Sequence, residues 1–198
     1  MTDAAASAVR EPRQARSRAG WERALAVGRE LLESGGYEAL TVSEVCRRAG
    51  VTAPSLYARV DGRAGLFRAV YEDGMRDVRD TEEELLAAAR GVAGVVAATT
   101  EVFDRHAPLL RAVIHRAVED PWLLARGAET SRRLQQRVAQ ALPGDDQAAK
   151  LSAARVLYTE CAFRTIYGPG FWTDIPESAQ SFGRRLVAIV EGILGASP

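Results

Sequence analysis

Two threonines, Thr41 and Thr52, each stand at the foot of a short amphipathic run, and Gly50 separates the runs. Thr41-Val42-Ser43-Glu44 has the pattern of a capping box, in which Thr41 accepts from the Glu44 amide and the Glu44 side chain reaches back to the Thr41 amide. The helix this opens places Val42, Val45, Cys46 and Ala49 on one face, and Gly50 stops it. Val51 follows as an apolar plug. Thr52 then caps a second helix, whose first turn tolerates Pro54 and whose inner face is Leu56 and Val60, before Asp61-Gly62 breaks the chain. Two short helices on a glycine turn are a helix-turn-helix pattern. Cys46 and Ala49 are small where the helices must cross. Thr52, Ala53, Pro54 and Ser55 present short side chains at the outward N-terminal end, the end that meets base edges when such a unit enters a major groove.

The flanking sequence organises around this unit. Residues 1–15 contain Arg10 and Arg13 without an apolar period and read as a flexible basic arm, which Arg16 and Arg18 extend. Trp21, Ala24, Leu25, Gly28, Leu31 and Leu32 then mark one face of a helix that Gly35-Gly36 should end. Residues 16–62 are therefore expected to form a three-helix DNA-facing domain, and residues 63–198 a larger helical body. In that body the punctuation predicts a helix near Arg63, one from about 83 to 105, a short one opened by Pro108, another from Asp120-Pro121, and two long final ones over about 146–167 and 176–194. The fold class is all-α, with about nine helices.

Charge supports this division. Residues 1–70 carry 11 arginines against 8 acids, and the remainder reverses the balance, leaving a net charge of zero. A basic N-terminal part suits a polyanionic partner. Cys46 and Cys161 lack metal or redox spacing, so free thiols in a reducing compartment are expected, and no metal. With no apolar signal core and no long apolar stretch, the location is expected to be cytoplasmic. No GxSxG, HExxH or phosphate-binding glycine loop is present, which argues against an enzyme, and nothing asks for a cofactor.

The joint pattern Leu31-Leu32, Gly35-Gly36-Tyr37, Thr41-Val42, Val45-Cys46, Ala49-Gly50-Val51-Thr52, Leu56-Tyr57, Val60, Arg63 and Leu66-Phe67 resembles the N-terminal domain of TetR-family repressors over about residues 16–72. The resemblance implies roles position by position. Tyr57, Arg59 and Arg63 match backbone phosphate contacts, with Arg63 standing where the family usually has lysine. Thr41 and Thr52 match capping residues that touch the backbone, and Ala53, Pro54 and Ser55 match the base-facing segment. Val60 departs from the usual phenylalanine and Cys46 from the usual alanine.

The resemblance also implies a palindromic DNA operator, a homodimer and release by a small molecule. Its ligand cavity would draw on Phe103, His106, His115, Trp122, Tyr158, Phe163 and Tyr167, although core packing explains each of these singly. Its dimer interface would draw on two stripes, Leu151, Ala154, Tyr158 and Cys161 in one and Phe182, Leu186, Ile189, Val190 and Ile193 in the other. Phe171 and Trp172 would lie at the rim. Either stripe could instead face the core of a single subunit. A ligand-independent DNA-binding regulator or activator is the alternative reading, and a helical enzyme ranks below both.

Overall fold

The computed structural model describes residues 13–172 and 174–196. Among these, nine α-helices follow one another and no strand occurs: α1 (Arg13–Ala39), α2 (Val42–Ala49), α3 (Ala53–Tyr57), α4 (Gly62–Ala88), α5 (Gly91–Arg105), α6 (Ala107–Ala117), α7 (Pro121–Ala141), α8 (Gln147–Tyr167) and α9 (Ala179–Gly195). Residues 1–12 of the expected arm lie outside the described residues, and α1 already begins at Arg13. Internal packing divides the chain into residues 1–73 and 74–198, a boundary that falls within α4.

In the first unit the stripe read from the sequence is the core. Ala24, Leu25, Leu31 and Leu32 are buried together with Leu40, Val45, Leu56, Leu66, Phe67, Val70 and Tyr71. Gly28 belongs to this stripe because a side chain there has no room: a Cβ would stand 2.5 Å from Val70 Cγ2. The backbone of α1 leaves helical geometry at Gly36 (φ 65°, ψ −165°) and turns on to Ala39.

The second unit is built around α8, which packs on α5, α6, α7 and α9. Ala149, Ala153, Ala154, Leu157 and Cys161 form its buried side, and mostly small residues let several helices approach. Asp120 caps α7, accepting from the Trp122 and Leu123 amides, and Asp146 caps α8 in the same way through Ala148 and Ala149. Both boundaries follow from the sequence. One boundary does not. Instead of a helix from about 83 to 105, α4 runs unbroken to Ala88 and α5 opens at Gly91. The alanine-rich run 87–89 carries no stop signal, and the break comes where Gly91 adopts φ 62°, a conformation an alanine would resist.

A buried ion pair also lies in this unit. Glu82 is 2% exposed, and its Oε1 is 3.1 Å from Arg137 Nη1. Burial raises the Glu82 carboxyl above its ordinary range, and the charge of Arg137 opposes that rise. Removing Arg137 would leave a carboxylate in the interior, so the pair binds α4 to α7.

The Gly28 contact yields a stability prediction. Gly28→Ala gains helix propensity of about 1 kcal/mol, but the overlap with Val70 should outweigh it and lower stability by about 1–2 kcal/mol. Urea denaturation of Gly28→Ala, Val70→Ala and the double variant checks this. The double variant should be more stable than the two single losses added together.

Candidate nucleic-acid interface

Thr41 and Thr52 both adopt extended backbone ahead of their helices, and both act as caps. The Glu44 amide donates to Thr41 Oγ1 at 3.3 Å, and the Ser55 amide to Thr52 Oγ1 at 3.4 Å. Between them Gly50 takes the left-handed conformation (φ 64°, ψ 37°) that reverses the chain after α2. The reciprocal half of the expected capping box is absent. The Thr41 amide donates to Ala39 O at 3.0 Å, and the Glu44 carboxylate turns instead to Arg47 and Arg48. Two guanidinium groups outbid a single amide for a carboxylate.

The second helix is shorter than the residues Thr52–Val60 suggested. α3 comprises Ala53–Tyr57, and Ala58 to Val60 continue as a turn in which the Arg59 and Val60 amides both donate to Leu56 O. Leu56 is the anchor of this segment, at 2% exposure, and Val60 packs beside Gly65 of α4. Thr52, Pro54, Ser55 and Tyr57 are all exposed, and Ala53 is half-buried. The face that the sequence assigned to bases is thus free of packing duty. The Tyr57 ring is 55% exposed, with no partner for its hydroxyl among the described residues.

The two arginines behave differently from the tyrosine. Arg59 reaches back to α1: its Nη2 donates to Ser17 Oγ at 3.1 Å, and its guanidinium lies 5.3 Å from the Trp21 ring centroid. Arg63 is drawn into the fold further. Its Nε donates to Leu40 O at 2.9 Å, its Nη2 to Tyr37 O and to Glu38 Oε2, and its plane lies 4.1 Å from the Tyr37 ring centroid. The Tyr37 ring in turn meets Phe67 edge-on. Arg63 therefore closes the end of α1, accepting a structural task beside any contact with phosphate. A lysine could not make this planar, multi-donor bridge.

Arg47 and Arg48 were missed by the motif reading. They project from α2 next to the turn, and both hydrogen-bond Glu44 at 2.6 Å. These bonds, that of Arg47 first, hold the Glu44 carboxyl down at about 2, against an ordinary value of 4.5. A lowered carboxyl stabilises the clasp above the ordinary value and loses that contribution as pH falls toward 2, so the clasp is intact at neutral pH. The signal was present as a carboxylate three and four residues ahead of two arginines. On the other side of the turn Arg23 Nε donates to Ala49 O at 3.1 Å, tying α1 to the end of α2.

The body residues separate into groups. Phe103 is buried and meets the Tyr158 ring edge-on at 5.5 Å, and the Tyr158 hydroxyl bonds Ser131 Oγ. His106 is buried, with Nε2 3.0 Å from Thr81 Oγ1. His115 is exposed and Trp122 half-buried. Phe163 and Tyr167 do not join the interior at all. They cluster with Phe171 and Trp172 at the surface, where the Phe163 and Trp172 rings stack at 5.1 Å. An open groove of about 770 Å³ adjoins this cluster, lined among others by Glu160, Trp172, Ile175, Glu177 and Arg185. The structure does not gather the seven expected ligand residues around one cavity.

The expected interface stripes are corrected more sharply. Ala154, Cys161, Phe182, Leu186 and Val190 are each 4% exposed or less within a single chain. They cannot touch a second copy, because α8, α9 and α5 already use them against one another. Tyr158 is likewise directed inward. Leu151, Ile189 and Ile193 retain surface. Burial also pushes the Cys161 thiol up, so it stays protonated and inert.

With this geometry in hand, comparison with known proteins is informative. Residues 24–70, which span α2, α3 and the helices that hold them, match the model of the bacterial regulatory proteins of the tetR family. Over that segment the chain is similar to the TetR family. Solved structures that share its fold include transcriptional regulators. A transcriptional regulator from Rhodococcus sp. Rha1 superimposes with a TM-score of 0.71 at 18% identity, over 89% of this chain and 98% of its own. A TetR-family transcriptional regulator from Streptomyces coelicolor gives 0.63 at 18%, over 92% and 93%. A cysteine-substituted form of the TetR-family regulator CifR, solved with 26-bp double-strand operator DNA, gives 0.60 at 20%, over 89% and 96%. At these identities the likeness establishes the fold. No curated protein matches the sequence. Among the described residues, no helix is long and apolar enough to cross a membrane.

Replacing Glu44 tests whether the two missed arginines face DNA. Glu44→Gln frees Arg47 and Arg48, so affinity for any duplex should rise and its salt dependence should steepen by up to about two phosphates' worth. Fluorescence-anisotropy titrations at several salt concentrations read both quantities. An unchanged slope would place these arginines off the DNA.

Proposed function

We propose that this protein is a DNA-binding transcriptional regulator of the TetR family, a repressor that binds a palindromic operator as a homodimer and is released by a small molecule. The observation that carries the DNA part of the reading is the exposed Thr52–Tyr57 face, held by Leu56 and carrying no packing role. Two such faces related by a two-fold axis would meet half-sites about 34–36 Å apart. In this reading Tyr57 holds a phosphate, Thr41 and Thr52 touch the backbone, and Ala53, Pro54 and Ser55 meet base edges. Arg59 and Arg63 approach phosphate while remaining tied to α1. The solved complex of CifR with operator DNA supports the same docking by analogy of fold.

Release by a ligand is supported by polar groups that a plain helical scaffold has no use for. Glu82 with Arg137, His106 with Thr81, and Tyr158 with Ser131 all lie in the body away from full solvent. We place the ligand among them, with Phe103 and Tyr158 as its apolar wall. A coupling of about 1–3 kcal/mol would change operator affinity roughly 5- to 150-fold, provided the ligand binds the two states unequally. A domain division at residues 62–63, between DNA reading and sensing, and a cytoplasmic location belong to the same reading.

Selection of bound duplexes from a random library, followed by a small-molecule thermal-shift screen, tests it. A palindromic consensus and a compound that both raises Tm and frees the DNA are expected. A consensus bound with no compound effect would favour a ligand-independent regulator. At the residue level, Tyr57→Phe should weaken binding to every sequence alike, whereas Ser55→Ala should alter which bases are preferred. Arg63→Ala should first cost stability, about 1–3 kcal/mol for the carbonyls it leaves unpaired, measurable by denaturation without DNA.

A further inference from the structure

The loop between α8 and α9 is fastened to both helices, yet it holds a large apolar surface out to solvent. The Glu177 amide donates to Pro169 O at 3.0 Å, and Arg164 Nη2 of α8 donates to Glu177 O at 3.0 Å. From α9, Arg185 Nε and Nη2 each reach a carboxylate oxygen of Glu177 at 3.2 Å. A groove walled by this loop is therefore shaped before anything enters it, which lowers the cost of binding.

Trp172 gives that groove its character. One face of the indole stacks on Phe163, with the planes 11° apart, and Phe171 meets the indole edge-on at 4.8 Å. Even so, Trp172 is 76% exposed and Ile175 81% exposed. A side chain that served only to anchor the loop would be buried. Here one face of the ring holds the loop and the other has no packing role inside the subunit. Together with Pro169, Ile175 and Pro176, it makes the apolar part of the groove of about 770 Å³, a volume that suits a small organic ligand.

The charged part of the lining is Glu160, Glu177 and Arg185, two carboxylates against one guanidinium. Arg185 spends its donors on both, since Nη1 also donates to Glu160 Oε2 at 3.0 Å. Arg164 approaches Glu177 to 3.9 Å without lining the groove. The walls thus keep one negative charge in excess. Glu160 is 37% exposed, and its Oε1 has no hydrogen-bond partner among the described residues. An anion would meet that carboxylate with no guanidinium to spare, and a flat neutral molecule would gain only the stacking. A flat cation gains the indole face and the carboxylate together.

We propose that this groove binds a planar aromatic cation, stacked on the open face of Trp172 with its positive charge toward Glu160. The site is separate from the interior polar groups to which the releasing ligand is assigned above, and it goes beyond that reading without resting on it.

The test is isothermal titration calorimetry on the full chain at mildly alkaline pH, with circular dichroism to confirm that each variant is folded. Three probes of nearly one shape differ in charge: N-methylacridinium, neutral acridine and anthracene carboxylate. N-methylacridinium should bind once per chain and roughly tenfold tighter than acridine, with the carboxylate weakest. W172A should weaken N-methylacridinium roughly tenfold or more, and W172F should retain part of the affinity. E160Q should bring N-methylacridinium close to acridine while leaving acridine itself unchanged. Equal affinity for the three probes, or no binding of any, would overturn the proposal. Binding that W172A leaves intact would also overturn it, and would move the ligand to the interior groups with the reading above untouched. Affinity that falls as protein concentration rises would assign the groove to a second copy instead of a small molecule.

Discussion

A helix of five residues cannot persist in water by itself, since fixing its first turn costs more than its few hydrogen bonds return. α3 has that length. Its existence depends on being held, and the burial of Leu56 is the principal hold, worth about 1.5–3 kcal/mol. The Thr52 cap, the Gly50 reversal and the Arg59 contact with Ser17 and Trp21 settle how it is held. Everything outward of Leu56 is then released from structural duty. In the proposed reading this division leaves Ala53, Pro54 and Ser55 free to meet bases while the fold stays the same.

That constraint explains the crowd of arginine contacts around a small domain. Arg23 ties α1 to the end of α2, Arg63 closes the end of α1, and Arg59 ties the segment after α3 back to α1. Each bridges elements with too few buried side chains to fix their own angles. Arginine suits this work because its planar fork satisfies several carbonyls at once and keeps a positive charge near the surface. In the proposed reading the same residues brace the domain and also supply the potential that draws it to a phosphate backbone.

Much of this domain was legible because its signals are local. Thr41, Gly50 and Thr52 act within four residues of themselves, and the Trp21–Leu32 stripe declares its buried face by spacing. The partners of Arg63 were not legible, because Tyr37 and Leu40 lie more than twenty residues away and only the folded chain brings them together. The expected contact of Glu44 with the Thr41 amide failed for a different reason. The motif was read without the two arginines that compete for the same carboxylate. In the body, the break at Gly91 was hidden because alanines are equally content in either helix. There the punctuation was a backbone angle rather than a residue class that announces a turn.

The stripes of α8 and α9 show a limit that periodicity cannot pass. Phe182, Leu186 and Val190 repeat every four residues, and that spacing says only that one side of the helix is covered. It does not say whether the cover comes from the same chain or from another. Burial decides it, since α5 and α8 already occupy that side. A surface meant for a second copy must then be sought where the apolar signal is weak. It must tolerate water before assembly, so small residues and paired charges are better suited to it than a run of leucines. On α9 the strongest apolar stripe, Phe182, Leu186 and Val190, thus belongs to the core of the subunit.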